Sequence, residues 1–382
     1  VADRRTFIRA GGALAATMAV TGATPPSVAR AGAGIGLPLL TWHAALADRR
    51  YAPAVIAVIG SSSSEGVGVT GYDRGYVPVL AQNLRTRFPV PGAAGGDNYT
   101  AAWGRPGRGY TWPVTGSGGT PGAKAGWGMK TLTLTAAGQT VSHRFTGTGV
   151  QVWHSAQPGG GTFAVAVDGV TVAAAVTTGA PLADRDATWS SGPLPAGAHT
   201  VTVTCLTPGV ELHGFATFDG DESRGIQIYN GGHGGFTSGD FARGADAWAP
   251  RLASIRPHLV LLQLGVNDWR SGVPAATIKA DLRSIIATVR ENTPTDPSFV
   301  VYGSPRVAPT AKAQEYAWLN KAWREVATED ERGAVAFFDL STRQPAPSQD
   351  NTLRFYNDDL VHMTDRGAAF TADALTAFLS PT

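Results

Sequence analysis

Two textures of apolar and polar residues alternate along the chain. APAVIAVIG (52–60) is an unbroken apolar run closed by glycine, the pattern of a strand covered on both faces. YVPVLAQNLRTRF (76–88) repeats its apolar residues at helical spacing, with Val79, Leu80, Leu84 and Phe88 on one side. From Asn98 to Asp219 the pattern shifts to short alternating runs broken by Gly, Pro and Asp: KTLTLTAAG, VSHRFTGTGVQVWHS, GTFAVAVDGVTVAAAV, GAHTVTVTCL and VELHGFATFDG. Closely spaced strands with turn residues between them predict an antiparallel, jelly-roll-like sandwich. Beyond Ser223 strand and helix alternate. RPHLVLLQLG, SFVVYGSP and AVAFFDL read as strands; AATIKADLRSIIATVREN, AQEYAWLNKAWREVATED and DRGAAFTADALTAFL read as helices. The first of these helices aligns Ile278, Leu282, Ile285, Ile286 and Val289. The expected fold class is therefore α/β, a three-layer parallel-sheet domain split by an inserted antiparallel β-sandwich. Its parts are 32–97 and 223–382, with the insert at 98–222.

Composition narrows the partners. With 382 residues, 43% hydrophobic and 16% charged, the chain supports two ordinary cores. A formal charge of +2 gives no electrostatic reason to expect nucleic acid or an anionic membrane. Arg4 and Arg5 precede a weakly apolar stretch and then VARA, with Ala29 and Ala31 as small residues. That is the three-part pattern of a Tat-type signal peptide over 1–31, so the expected location is secreted or cell-envelope, with no integral membrane span. The single cysteine, Cys205, sits on the inward face of an alternating strand and reads as a buried structural thiol.

In a parallel sheet, ligands bind at the carboxyl ends of strands, so the residues just past each strand carry the candidate chemistry. They are Gly60-Ser61-Ser62-Ser63-Ser64-Glu65-Gly66, Gly231-Gly232-His233-Gly234-Gly235-Phe236-Thr237, Gly265-Val266-Asn267-Asp268 and Asp359-Leu360-Val361-His362. A serine hydroxyl is a weak nucleophile that needs a histidine base, and the histidine needs a carboxylate to hold its tautomer. The oxyanion formed on attack needs N–H donors, which glycine backbone and an asparagine amide provide. A serine run in isolation reads as a linker, and Asn-Asp as a turn cap; an apolar strand leading into the serines and three partner blocks favour chemistry.

The order and spacing of these blocks resemble the SGNH or GDSL hydrolases. The family's blocks correspond to GSSSSEG, GGFTS, GVND and DLVH, covering roughly 52–96 and 223–380 and not the insert. The resemblance implies Ser62 as nucleophile, His362 as base and Asp359 as the acid that orients it. It implies an oxyanion hole from the Ser62 N–H, the Gly235 N–H and the Asn267 side chain, with no metal or cofactor. The family's Asp before the nucleophile is Ser61 here. His233 is expected as a pocket wall. A G-x-G-x-x-G match at 66–71 begins too far past its strand to bind a dinucleotide, and Asp219, Asp221 and Glu222 read as a solvated turn.

The insert's strand texture resembles modules of carbohydrate-active proteins. Its tryptophans at 103, 112, 127, 153 and 189 read one by one as core. The expected function is an exported serine esterase that removes acetyl or another short acyl group from a carbohydrate. The alternatives are a lipid or aryl esterase or an acyltransferase with the same site, and a glycan-binding wall module whose site has decayed. Expected partners are a small-molecule or polysaccharide ester.

Overall fold

The computed structural model describes residues 37–105, 109–350 and 352–381, and the expected signal region 1–31 lies outside them. The strand Pro53–Gly60 pairs in parallel on both sides, with Gly225–Gly232 and Leu259–Gln263. Ser298–Gly303 and Val335–Asp339 extend the parallel ladder. Taken in chain order, these strands run 2-1-3-4-5 across the sheet, so the winding reverses beside the first strand.

Alternation along that strand feeds two cores. Val55, Ala57 and Ile59 enter one, and Ala54, Ile56 and Val58 the other. Leu40–Asp48, Tyr76–Arg87 and Asp365–Leu379 cover one face; Ala275–Asn292 and Tyr316–Thr328 cover the opposite one. The Ala275–Asn292 helix buries Ile278, Leu282, Ile285, Ile286 and Val289, each worth roughly 1.5–3 kcal/mol relative to exposure. No helix among the described residues is long and apolar enough to cross a membrane.

The 98–222 segment contributes two layers of strands. Val114–Ser117, Thr140–Gly147, Gly197–Thr207, Thr162–Val167 and Val170–Thr177 form a separate five-stranded antiparallel sheet. Its other layer is not separate. Asn98–Ala101, Val210–Phe218, Gly149–Ala156 and Asp184–Ser190 continue the parallel sheet sideways, with Tyr99 paired to Tyr229. The physical reason is an edge: Gly225–Gly232 would otherwise present unpaired backbone to water. Asn98, at φ 56°, takes one of those groups with its side chain, its Oδ1 accepting from the Ile228 N–H at 2.7 Å. Cys205 is buried, and burial pushes its thiol up, away from the thiolate form.

Candidate active site

The first strand delivers the tetraserine run to the carboxyl edge of the sheet, where the winding reverses. The Ser61 N–H donates to the Gln263 carbonyl at 3.2 Å. Ser62–Glu65 then forms one helical turn, closed by Gly66 at φ 94°. The serine hydroxyls go to different places. Ser61 Oγ donates to Gln263 Oε1 at 3.2 Å. Ser64 Oγ donates to the same atom at 3.1 Å and lies 2.7 Å from the Tyr76 hydroxyl. Ser63 is half-buried at the edge of a recess. Ser62 Oγ lies 2.9 Å from His362 Nε2. Gly60 makes this packing possible, because a Cβ there would sit 2.0 Å from Ser64 Oγ.

His362 Nδ1 lies 2.8 Å from Asp359 Oδ2, while Asp359 Oδ1 accepts from the Val361 and His362 N–H groups at 3.0 Å each. A carboxylate on Nδ1 fixes the proton there and leaves Nε2 as an acceptor facing Ser62. Burial pushes the Asp359 carboxyl up, but the bonds from the His362 backbone and ring and from Val361 outweigh it and hold it below the usual carboxylate range. The histidine loop is laced to the serine loop by Asn357, whose Nδ2 donates to the carbonyls of Gly68 (3.0 Å), His362 (3.2 Å) and Met363 (2.9 Å).

Three donors lie along the same rim. Ser62 opens its helical turn, which leaves its N–H outside the intrahelical bonds. Gly235 follows the strand paired with that of Ser62, at φ 86°, exposed, and its N–H has no acceptor among the described residues. Asn267 Nδ2 donates one hydrogen to the Phe236 carbonyl at 2.9 Å and keeps its second. Asp268, buried, accepts from the Ser238 N–H at 3.0 Å and from its hydroxyl at 2.6 Å. Burial raises the Asp268 carboxyl and these bonds oppose that shift; the bonds themselves tie Asp268 to Ser238.

His233 donates from Nδ1 to the Gly128 carbonyl at 2.7 Å and stacks on Phe236, with Trp103 against its edge. Burial first, and then the Lys130 charge, push it down to about 4, so it is a neutral wall at physiological pH. Trp112, Trp127 and Trp153 are buried in the core; Trp103 and Trp189 are half-buried against it. Beside Ser62 and Asn267 is a narrow recess of ≈ 30 Å³, walled by Val266, Pro305, Val307 and Val361.

Sequence reasoning missed four supporting residues: Gln263, Glu65, Lys130 and Asn357. Glu65 stood inside the first block as a signal. Nothing local marked Lys130, an apparently ordinary lysine that is buried against Glu65 at 2.6 Å.

Residues 217–370 match the GDSL-like Lipase/Acylhydrolase family. That span contains Gly235, Asn267, Asp359 and His362 but not Ser62, which the 98–222 segment separates from them. The structure is similar to a peptidoglycan O-acetylesterase at 16% identity and a TM-score of 0.64, covering 90% of this chain and 95% of that one. So large a share has to include much of 98–222, which makes the added layers part of the shared fold. A family two carbohydrate esterase from Clostridium thermocellum matches at 17% identity and a TM-score of 0.32, over 65% of this chain and 93% of that one. A salicylyl-acyltransferase from a tetracycline biosynthetic pathway matches at 16% and 0.30, over 72% and 95%. No curated protein sequence matches the chain.

Proposed function

We propose that the chain, whose residues 217–370 match the GDSL-like Lipase/Acylhydrolase family, is a carboxylic ester hydrolase, and specifically an exported serine esterase removing acetyl groups from a carbohydrate. The observation that carries this reading is the hydrogen-bonded series Ser62–His362–Asp359, with contacts of 2.9 and 2.8 Å at the switch point of the sheet. Ser62 Oγ attacks the ester carbonyl as His362 Nε2 takes its proton. The carbonyl oxygen becomes an oxyanion facing the Ser62 N–H, the Gly235 N–H and the Asn267 amide. Collapse breaks the ester bond, and the departing sugar oxygen takes the proton from His362 to leave as the hydroxyl. Water then repeats the sequence on the acetyl-serine and releases acetate and free Ser62. Asp359, held ionised, keeps the imidazole in its tautomer and stabilises the imidazolium.

The recess beside Ser62, walled by Val266, Pro305, Val307 and Val361, supports a small apolar acyl group. A carbohydrate as the alcohol is supported by the solved peptidoglycan O-acetylesterase of the same fold. The Arg4-Arg5 pattern and the VARA site support export. The test is hydrolysis of p-nitrophenyl acetate by wild type, Ser62→Ala, Ser63→Ala and His362→Ala, followed by acetate release from acetylated xylan, peptidoglycan and short-chain lipids. Ser63→Ala is expected to keep most activity and the other two to lose about 10³-fold or more in kcat. Equal rates for wild type and Ser62→Ala would remove the assigned nucleophile.

A further inference from the structure

Glu65 sits three residues past Ser62 on the same helical turn, with its side chain buried. Its Oε1 accepts from Lys130 Nζ and from the Arg105 N–H, each at 2.6 Å. Its Oε2 accepts from the Gly234 N–H, also at 2.6 Å. Lys130 is buried as well, its ammonium 5.5 Å from the ring centre of Trp103 and 5.1 Å from that of Trp112. The Gly235 peptide is thus suspended between two anchors. Gly234, before it, is tied to Glu65, and Phe236, after it, is tied to Asn267.

We propose that Glu65 is a positioning residue for the oxyanion hole, fixing the Gly234–Gly235 turn relative to Ser62, and that the 98–222 segment completes the catalytic site by supplying the Lys130 cation that keeps this carboxylate in place. The inference rests on the triad reading above. Both Glu65 oxygens are occupied by donors, which leaves no lone role for it as a base. Bonds of this length with a charged acceptor are the stiff kind. A donor aimed at an oxyanion loses its effect when displaced by a fraction of an ångström to an ångström. Pairing with Lys130 offsets the cost of burying the carboxylate, and that cation comes from the inserted segment.

The test uses the full chain and p-nitrophenyl acetate. Glu65→Gln cannot satisfy all three donors, because one of its terminal atoms is itself a donor. It is expected to lower kcat about 10- to 100-fold with KM little changed. It should weaken a small alkylboronic acid, whose serine adduct is tetrahedral, by a similar factor. Glu65→Met combined with Lys130→Met removes both buried charges together, a change compatible with folding. It leaves the Gly234 and Arg105 N–H groups without their acceptor, so it is expected to show the same kcat loss in a folded protein whose melting temperature is lowered by several degrees. A wild-type kcat in either folded variant, or a loss confined to KM, overturns the inference. Ser62→Ala measured alongside separates the levels. If it is inactive while the Glu65 variants keep full kcat, the positioning role alone falls. If it keeps the wild-type rate, the triad reading falls and takes this inference with it.

Discussion

At Gly68 the backbone has φ 103°, and a Cβ there would sit 2.8 Å from the His362 Cβ and 2.7 Å from the Met363 carbonyl. Gly68→Ala should strain the backbone by roughly 1–2 kcal/mol and push the imidazole away from Ser62. The expected result is a kcat on p-nitrophenyl acetate reduced about 10-fold or more; an unchanged kcat would mean that the histidine loop yields without moving the base. Asp359 gives a second prediction. Because its carboxyl lies below the usual range, it remains ionised wherever an ordinary aspartate does and further down in pH. Asp359 should therefore take up no proton above about pH 4, and a carboxyl titration followed by NMR that places its uptake above that pH would contradict this. Ser62 and His362 were legible because each follows a recognisable strand or precedes a recognisable helix at a telling spacing. Asn357 and Lys130 were not, since their partners lie far along the chain and no local pattern encodes them.

The strand ends at 263–266 and 303–307, with the histidine loop, shape the recess beside Ser62. Its walls predict that acetyl esters are preferred over butyryl esters by about 10-fold or more in kcat/KM, since each misplaced methylene in such a pocket is worth roughly 10- to 200-fold. A p-nitrophenyl ester series checks this, and equal rates for acetyl and octanoyl would contradict it. Periodicity gave the helices well: the Ala275–Asn292 helix buries the residues its spacing singled out. Alternation also located most strands of 98–222, such as Val210–Phe218. It could not reveal that this strand joins the parallel sheet through Asn98–Ala101. A period of two says which face of a strand is buried and nothing about which strand lies beside it.

At the scale of the molecule, 98–222 is bound into the catalytic half by a shared sheet, a continuous core and the Lys130–Glu65 pair. Deleting it should expose the Gly225–Gly232 edge and yield insoluble or inactive protein; a soluble deletion product with wild-type esterase rates would contradict that. Stability should also depend on pH through buried histidines. Burial lowers His143, His154 and His213, and lowers His233 to about 4. The unfolded chain binds more protons than the native one between about pH 4 and 6.5, so stability is full above that window and is lost as pH falls through it. His233 alone contributes on the order of 2 kcal/mol by pH 5, and thermal melts at pH 7.5 and 5 should show the drop. The most direct measurement of the central claim is covalent labelling with an alkyl fluorophosphonate, the modified peptide being read by tandem mass spectrometry. One adduct on Ser62, abolished in His362→Ala, is the predicted result. An adduct on Ser61, Ser63 or Ser64, or none at all from an active preparation, would contradict it.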